Sequence, residues 1–550
     1  MFQPLFLPAR LAILPLASSL FLAACGSNTT SAPPPPPPPT TYTLTIDSTN
    51  PAAGVAITVS PADNSNTANG ASPFNRTYNS GTAITLTAPA TSGNNTLASW
   101  SGCSSTSTVT CTVTLTANTT VTANYATPIA AVTYYVSGSG NDSNDGLTQA
   151  TAFLTLQHAA NLTQPGDTVY AMNGTYTNSC AGCDVLDISI PGTPSAWITY
   201  AALPGQTPVI SFNGWEGILF GSTAAYIQVS GFTVIGNNYN VTQAEALAQS
   251  YTNPDPKFNG NCIASDGRAG TPTVKPNHLK ILNNTIYACG GGGIGTAQSD
   301  YVTISGNTIY DSAWYSIYGS SAISTWENWN ADTTTGYKMF ITGNRLFGNA
   351  NLVPTLGSTV ATDGEGIIID STRNNAYNTD GLDPYIGRTY IANNVIYTNG
   401  SAAIEVFESN HVDVVNNSSY QDVYIPAVTG RGEMNVNQAT DVNIFNNIFS
   451  STAAQNPVTV CCNSTQIDLD YNIYFGGTNS SGTATGPHDL FTDPLYIDPA
   501  DSNRQIVNLA VSPNSPAVGS GTPNLAPATD FAGNPRPGSK GFDRGAYQQQ

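Results

Sequence analysis

The sequence predicts an all-β chain: a small antiparallel β-domain followed by a long parallel solenoid. Three observations carry this. A phrase of two short apolar runs around a polar turn recurs along the C-terminal part of the chain. Apolar and polar residues alternate through the segment before it. Charged residues make up only 9% of the chain, which holds 50 Gly and 37 Pro, a composition suited to short strands joined by many turns.

The phrase reads Ile281-Leu-Asn-Asn-Thr-Ile286, Ile304-Ser-Gly-Asn-Thr-Ile309, Ile341-Thr-Gly-Asn-Arg-Leu346 and Ile391-Ala-Asn-Asn-Val-Ile396, and returns near 414, 444 and 469. Its second Asn falls at 284, 307, 344, 394, 417, 447 and 472, spacings of 23, 37, 50, 23, 30 and 25. A base period in the low twenties with insertions is one coil of a parallel solenoid. Stacked Asn side chains can hydrogen-bond from coil to coil, which explains the residue without a ligand. One coil earlier, Phe232 takes its place.

From Thr41 to Tyr125 the runs Tyr42–Ile46, Ala83–Thr87, Val109–Leu115 and Val121–Tyr125 alternate with the period of half-buried antiparallel strands. Pro33 to Pro39 is an unbroken proline run, an extended spacer of roughly 20 Å. Before it, Arg10 precedes an apolar stretch from Leu11 to Leu22, too short to span a bilayer, which reads as a signal segment. The expected organisation is a leader over 1–24, a linker over 25–40, a β-domain over 41–126, the solenoid over 131–485 and a terminal cap over 486–550.

Net charge is −19 with 15 Lys plus Arg, and no clustered basic footprint appears, so nucleic acid is excluded as a partner. Besides Cys25 there are eight cysteines. Disulfides are the expected state of Cys103 with Cys111, Cys180 with Cys183, and Cys262 with Cys289. The adjacent Cys461 and Cys462 stay open. Asp142, Asn144 and Asp145 are candidate Ca²⁺ ligands, though turn residues are the simpler reading.

Several of these stretches resemble known families. Leu22-Ala-Ala-Cys-Gly26 resembles a bacterial lipobox, which implies cleavage before Cys25, a lipid on that cysteine, and a cell-envelope location with the lipid as the only membrane contact. Trp100-Ser-Gly-Cys103 with Cys111-Thr-Val-Thr-Leu115 resembles a divergent bacterial repeat domain related to the InlB B-repeat, a spacer module. Tyr134-Tyr-Val-Ser-Gly-Ser-Gly-Asn-Asp-Ser-Asn-Asp-Gly146 and Pro165-Gly-Asp-Thr-Val-Tyr170 resemble the opening of pectate-lyase-like right-handed parallel β-helix proteins. Asp530-Phe-Ala-Gly-Asn-Pro-Arg536 and Gly541-Phe-Asp-Arg-Gly-Ala-Tyr547 resemble the choice-of-anchor C-terminus of secreted β-helix proteins. The resemblance implies a right-handed parallel β-helix, a monomer, and polysaccharide as partner. It implies fold more strongly than activity, because the fold hosts lyases, hydrolases, epimerases and adhesins.

Chemistry is expected where insertions interrupt the period, from about Tyr310 to Met339 and from Phe347 to Thr389. In Ile404-Glu-Val-Phe407, parity sends Ile404 and Val406 inward and Glu405 and Phe407 outward. Aligning Ile367-Ile-Ile-Asp370 with it puts Asp370 outside, in a column with Trp326. Asp363, Glu365 and Asp370 form the expected acidic centre and the candidate Ca²⁺ ligands. Lys338 or Arg373 is the candidate base, with Arg388 and Arg431 the other local cations. Trp314, Trp326, Trp329 and Glu405 are the candidate sugar-binding residues. A Ca²⁺-assisted lyase of uronate glycans leads slightly over a glycoside hydrolase using paired carboxylates. A non-catalytic surface adhesin or glycan-binding protein remains the third reading.

Overall fold

The computed structural model describes residues 38–93, 95–127, 130–373, 381–428, 430–451, 455–477 and 485–550. The leader, Cys25 and most of the proline spacer lie outside the described residues. The chain forms two compact units, 1–128 and 129–550.

In the first unit, two five-stranded sheets enclose one core. Alternation buries Leu44 and Ile46 from one strand and Ile84 and Leu86 from another, with Trp100 in the same core. All pairings but one are antiparallel: Thr41–Thr49 runs parallel to Thr119–Ala126, so the unit's first and last long strands lie side by side. The Cys103–Cys111 disulfide joins positions 5.6 Å apart at Cα.

The second unit is a right-handed parallel β-helix. Its strands stack into three parallel sheets of eleven, eleven and nine strands, and each complete coil gives one strand to each. The first sheet runs from Thr133–Val136 to Thr465–Asp470, the second from Thr175–Tyr176 to Leu490–Phe491, and the third from Leu186–Ile188 to Val458–Cys461. Parity sets the core. In the third sheet Ile323, Ile367, Ile404 and Met434 stack inward in register. The helix Leu156–Ala160 buries Leu156, Ala159 and Ala160 into the same core near the first coil. Asp142 and Asp145 are spent on turns there. Asp142 accepts from Leu154 N, Thr155 N and Thr155 Oγ1, and Asp145 from Leu147 N and Thr151 Oγ1.

The recurring Asn fixes the corner between the first and second sheets. The Oδ1 of each ladder Asn accepts the backbone N–H of its counterpart one coil before, from Phe232 through Asn284, Asn307, Asn344, Asn394, Asn417 and Asn447 to Asn472, at 2.9–3.0 Å. From Asn307 onward its Nδ2 also donates to a carbonyl of the preceding coil, as Asn394 does to Ile341 O at 2.9 Å. The residue before it has positive φ: Asn283, Gly306, Gly343, Asn393, Asn416, Asn446 and Tyr471. That conformation explains the repeated Asn-Asn and Gly-Asn, because Gly and Asn tolerate the left-handed region best.

A second, shorter ladder turns the corner between the second and third sheets. Asn349 accepts from Ser312 N, Asn399 from Asn349 N, and Asp422 from Asn399 N. Cys262 and Cys289 are disulfide-linked near the same corner, with Cα atoms 5.5 Å apart.

The C-terminal segment is more than an end cap. Leu490–Phe491 completes the second sheet, and the following chain packs Val507, Leu509 and Ala546 onto the sheet's outward Phe347 and Tyr397. Arg536 and Arg544 do not form the ion pairs with Asp530 and Asp543 that their proximity in sequence suggests. Arg536 donates to Gly545 O and Asn393 Oδ1, and Arg544 to Asn472 O and Ser520 O, so both tie loops to the coil corner.

Removing one ladder side chain strands the N–H before it and the carbonyl it serves. Asn394→Ala is expected to lower stability by about 2–3 kcal/mol, read as a lower urea midpoint. A midpoint equal to wild type would reduce the ladder to decoration.

Candidate active site

The turns on either side of the third sheet carry the insertions, and those that lead into it pack against one another as a wall along that sheet's edge. The short helices Gln243–Leu247 and Pro256–Asn259 meet Tyr315, Ile317 and Val353, and Ala350 meets Val423 and Ile425. Trp314 belongs to this wall. Its indole donates to Gly348 O and packs edge-on to Tyr239, which makes it a packing residue rather than an open platform.

At the foot of the wall the expected acids come together. Glu365 and Glu405 are fully buried, although Glu405 points outward by parity. Their cover is Arg431, whose Nη1 bonds Glu365 Oε1 and lies 2.7 Å from Glu405 Oε2 and 2.8 Å from Ser401 Oγ. Ser321 Oγ donates to the other Glu365 oxygen at 2.5 Å, and Asn435 Nδ2 to Glu405 Oε1 at 2.8 Å. Burial pushes the Glu405 carboxyl well above the usual range, with Arg431 opposing.

Asp363 and Asp370 stay partly exposed. Asp363 accepts from Thr362 Oγ1, and its carboxylate lies against Gly319, where a Cβ would stand 2.5 Å from Oδ2. Gly319 also has φ +65°, a conformation that favours glycine. Burial and the neighbouring Glu365 push Asp363 up to about 7. Burial does the same to Asp370, up to about 7, against the Ser371 hydroxyl that donates to it and with Glu365, Glu408 and Glu327 adding. Strand pairing places Asp370 between Trp326 and Phe407. From rung spacing and rise per residue, its side chain originates roughly 8 Å from that of Glu405.

Other expected residues lie elsewhere. Lys338 is on the first sheet, fully buried, 3.0 Å from Asp300 and 2.9 Å from Asp332, so it is not brought to the acids. Arg373 follows the Ile367–Asp370 strand and donates to Gln438 O at 2.8 Å. Arg388 ion-pairs with Asp413 and Asp441. Trp329 donates to Pro272 O at the turn after Trp326, so of the three tryptophans Trp326 alone stands in the acid column.

Asp363, Glu365 and Asp370 do not fit Ca²⁺. A calcium ion takes six to eight oxygens, whereas both Glu365 oxygens are already taken by Ser321 and Arg431, whose positive charge sits within the cluster. No group of three or more His, Cys, Asp or Glu is arranged to hold a metal among the described residues.

Sequence reasoning ranked Arg431 below Lys338 and Arg373. The 30-residue spacing between Asn417 and Asn447 signals the loop that carries it. Two carboxyl pairs were also missed. Asp184 Oδ1 accepts from Glu216 N at 3.0 Å, and burial with Asp184 as neighbour pushes Glu216 up to about 8. Asp422, the end of the shorter ladder, bonds through its N–H to Glu433 Oε1 at 3.0 Å, and both side chains are fully buried. Burial pushes Asp422 up to about 7, and burial with Asp422 pushes Glu433 well above the usual range.

No protein-family model matches the chain, and no curated protein is similar to it in sequence. Solved structures that share the architecture include a rhamnogalacturonan lyase, 16% identical over 67% of this chain and 91% of that one, with TM-score 0.37. Pectate lyase Pel9A is 14% identical over 77% and 98%, with TM-score 0.39. A family 28 exopolygalacturonase of Yersinia enterocolitica is 11% identical over 74% of each chain, with TM-score 0.41. Likeness at this level concerns architecture alone.

The raised carboxyls make stability depend on pH. An unfolded chain gives up these protons at about pH 4, while the folded pairs hold them until about 7 or above. The folded state therefore binds more protons between those limits, and stability falls as pH rises through that window. The thermal midpoint is expected to be higher near pH 5 than near pH 8. The double variant Asp422→Asn/Glu433→Gln should flatten that slope, and an unchanged slope would show that the pair carries no linked proton.

Proposed function

We propose that the chain binds polysaccharide along the outer face of the third sheet and hydrolyses it there. The observation that carries this reading is the juxtaposition of two half-buried carboxyls raised to about 7, Asp363 and Asp370, with the buried Glu365–Arg431–Glu405 group. One acid protonates the glycosidic oxygen as the bond to the anomeric carbon breaks. The other, ionised, takes a proton from the water whose oxygen joins that carbon. Trp326 beside Asp370 offers a ring face to the sugar. A β-eliminating lyase needs a free base beside the acids. Lys338 is buried in its own ion pairs, Arg431 is claimed by two glutamates and Arg373 donates to Gln438 O at the strand's end, which favours hydrolysis.

Asp370→Asn is expected to lower turnover by a factor on the order of 10² to 10⁴ with the fold intact, measured as reducing ends released from a glycan panel. Activity should fall as pH rises above about 7, where Asp370 loses its proton, and a calcium chelator should change nothing. Products absorbing as unsaturated uronates would replace hydrolysis with elimination. Binding without turnover in wild type would make the protein an adhesin.

The same reading includes export and lipid attachment at Cys25, supported by the lipobox resemblance and by the Cys103–Cys111, Cys180–Cys183 and Cys262–Cys289 disulfides, which suit an oxidising compartment. Cys25→Ser should move the protein from the membrane fraction to the soluble one. Unchanged fractionation would remove the anchor from the proposal.

A further inference from the structure

We infer that the glycan this face accepts is uncharged, held by aromatic stacking rather than by ion pairing with uronate carboxylates. The inference rests on the polysaccharide reading above and concerns the charge of the substrate.

Its basis is the state of each cation along the third sheet. Arg268 makes a bidentate contact with Asp266, its Nε 2.9 Å and Nη2 2.7 Å from the carboxylate oxygens. Arg431 is shared between Glu365 and Glu405. Lys257, on the wall, lies 3.5 Å from Asp255. Lys275 is buried, with its ammonium on Gly267 O and Gln298 Oε1. Arg373 donates to the backbone carbonyl of Gln438 at the edge where the strand leaves the sheet. Against these stand Asp266 and Glu408 along the same face, with Asp184, Glu216, Asp363 and Asp370 pushed up by burial, in a chain of net charge −19. A polyanion laid on this face meets cations already held by other groups of the protein, so little local charge attracts it and the global field opposes it.

The surface between the acids and Trp215 fits an uncharged ring instead. One outward column of the third sheet reads Leu219, Ala264, Gly295, Ser324 and Ile368, a shallow floor of small residues between two larger ones. A Cβ at Gly295 would meet no atom within 4 Å, so space is open above it. Half-exposed Trp326 flanks one end of this floor, with the Arg268 guanidinium 5.9 Å from its ring centre, and Tyr318 projects from the wall, 52% exposed. Toward the N-terminal end, Trp215 lines a cleft of about 700 Å³ between the Cys180–Cys183 loop and the wall helices, with Gln249, Asn253 and Lys257. Trp215 and Asp363 precede third-sheet strands four rungs apart, roughly 19 Å by rung spacing, so one glycan chain of several sugars spans both.

The test uses glycan pairs that differ in charge alone: polygalacturonate with its methyl ester, and alginate with its carboxyl-reduced form. Xylan and arabinan serve as neutral references. Binding to full-length Asp370→Asn is measured at low and high salt. The neutral member of a pair, or a neutral reference, should bind about tenfold more tightly than any polyuronate, and added salt should narrow the gap by screening repulsion. Trp215→Ala and Trp326→Ala should each weaken neutral-glycan binding roughly three- to tenfold. Tighter binding of a polyuronate, weakened by salt and by Arg373→Ala, would overturn the inference while leaving the polysaccharide reading in place. Binding of no glycan by this variant, together with no cleavage by wild type, would instead remove that reading and the inference with it.

Discussion

The structure depends on one constraint: a parallel β-helix must satisfy the backbone groups at every corner of every coil. Strands satisfy their own groups through the coils above and below, but a tight corner leaves an N–H and a carbonyl inside the wall with no strand partner. Asn meets both needs with one side chain, its oxygen accepting the N–H of the preceding coil and its amide returning a bond to that coil's carbonyl. Unsatisfied, each such group would cost about 1–3 kcal/mol. The ladder therefore fixes register from Phe232 to Asn472, and outward columns line up only because register is fixed.

Register in turn makes the site. Asp370 stands beside Trp326 because Ile367 pairs with Ile323 along a continuous sheet. The shorter ladder ends at Asp422, bonded to Glu433, two positions beyond Arg431. The cation that neutralises Glu365 and Glu405 is thus tethered to the same hydrogen-bonded column that turns the coil. Insertions are free to vary at these corners because the ladder, rather than the loop, holds the coils together. That is why the wall could accumulate helices and apolar contacts without disturbing the sheet beneath.

What was legible in the sequence follows the same division. The Asn-Asn and Gly-Asn phrase is local, periodic and forced by backbone conformation, so solenoid, ladder and strand parity could all be read from it. The three disulfides were legible because each pair is close along the chain or one coil apart. Parity put Asp370 and Glu405 on the outer face, and Asp363 and Glu365 lead into the same strand as Asp370. Their partners were not legible, because partnership at the site is made by loops from different coils. Lys338 is near the acids in sequence and sits on another sheet, while Arg431 is distant and sits on top of them. Parity also says outward without saying exposed: Glu405 points away from the core yet is fully buried beneath an arginine that its own strand does not supply.

Burial of that kind is costly unless something compensates, and the compensation separates two roles for carboxyls on one face. Glu365 and Glu405 are desolvated and retained by a shared guanidinium, which fixes them as support and removes them from contact with a substrate. Asp363 and Asp370 have hydroxyl donors, from Thr362 and Ser371, and are half-buried. Burial pushes both up to about 7, with these hydroxyls offsetting only part of it, and pushes Glu405 well above the usual range despite Arg431. Arg431 is thereby committed to the buried pair, while Asp363 and Asp370 are left with hydroxyl partners on the same face.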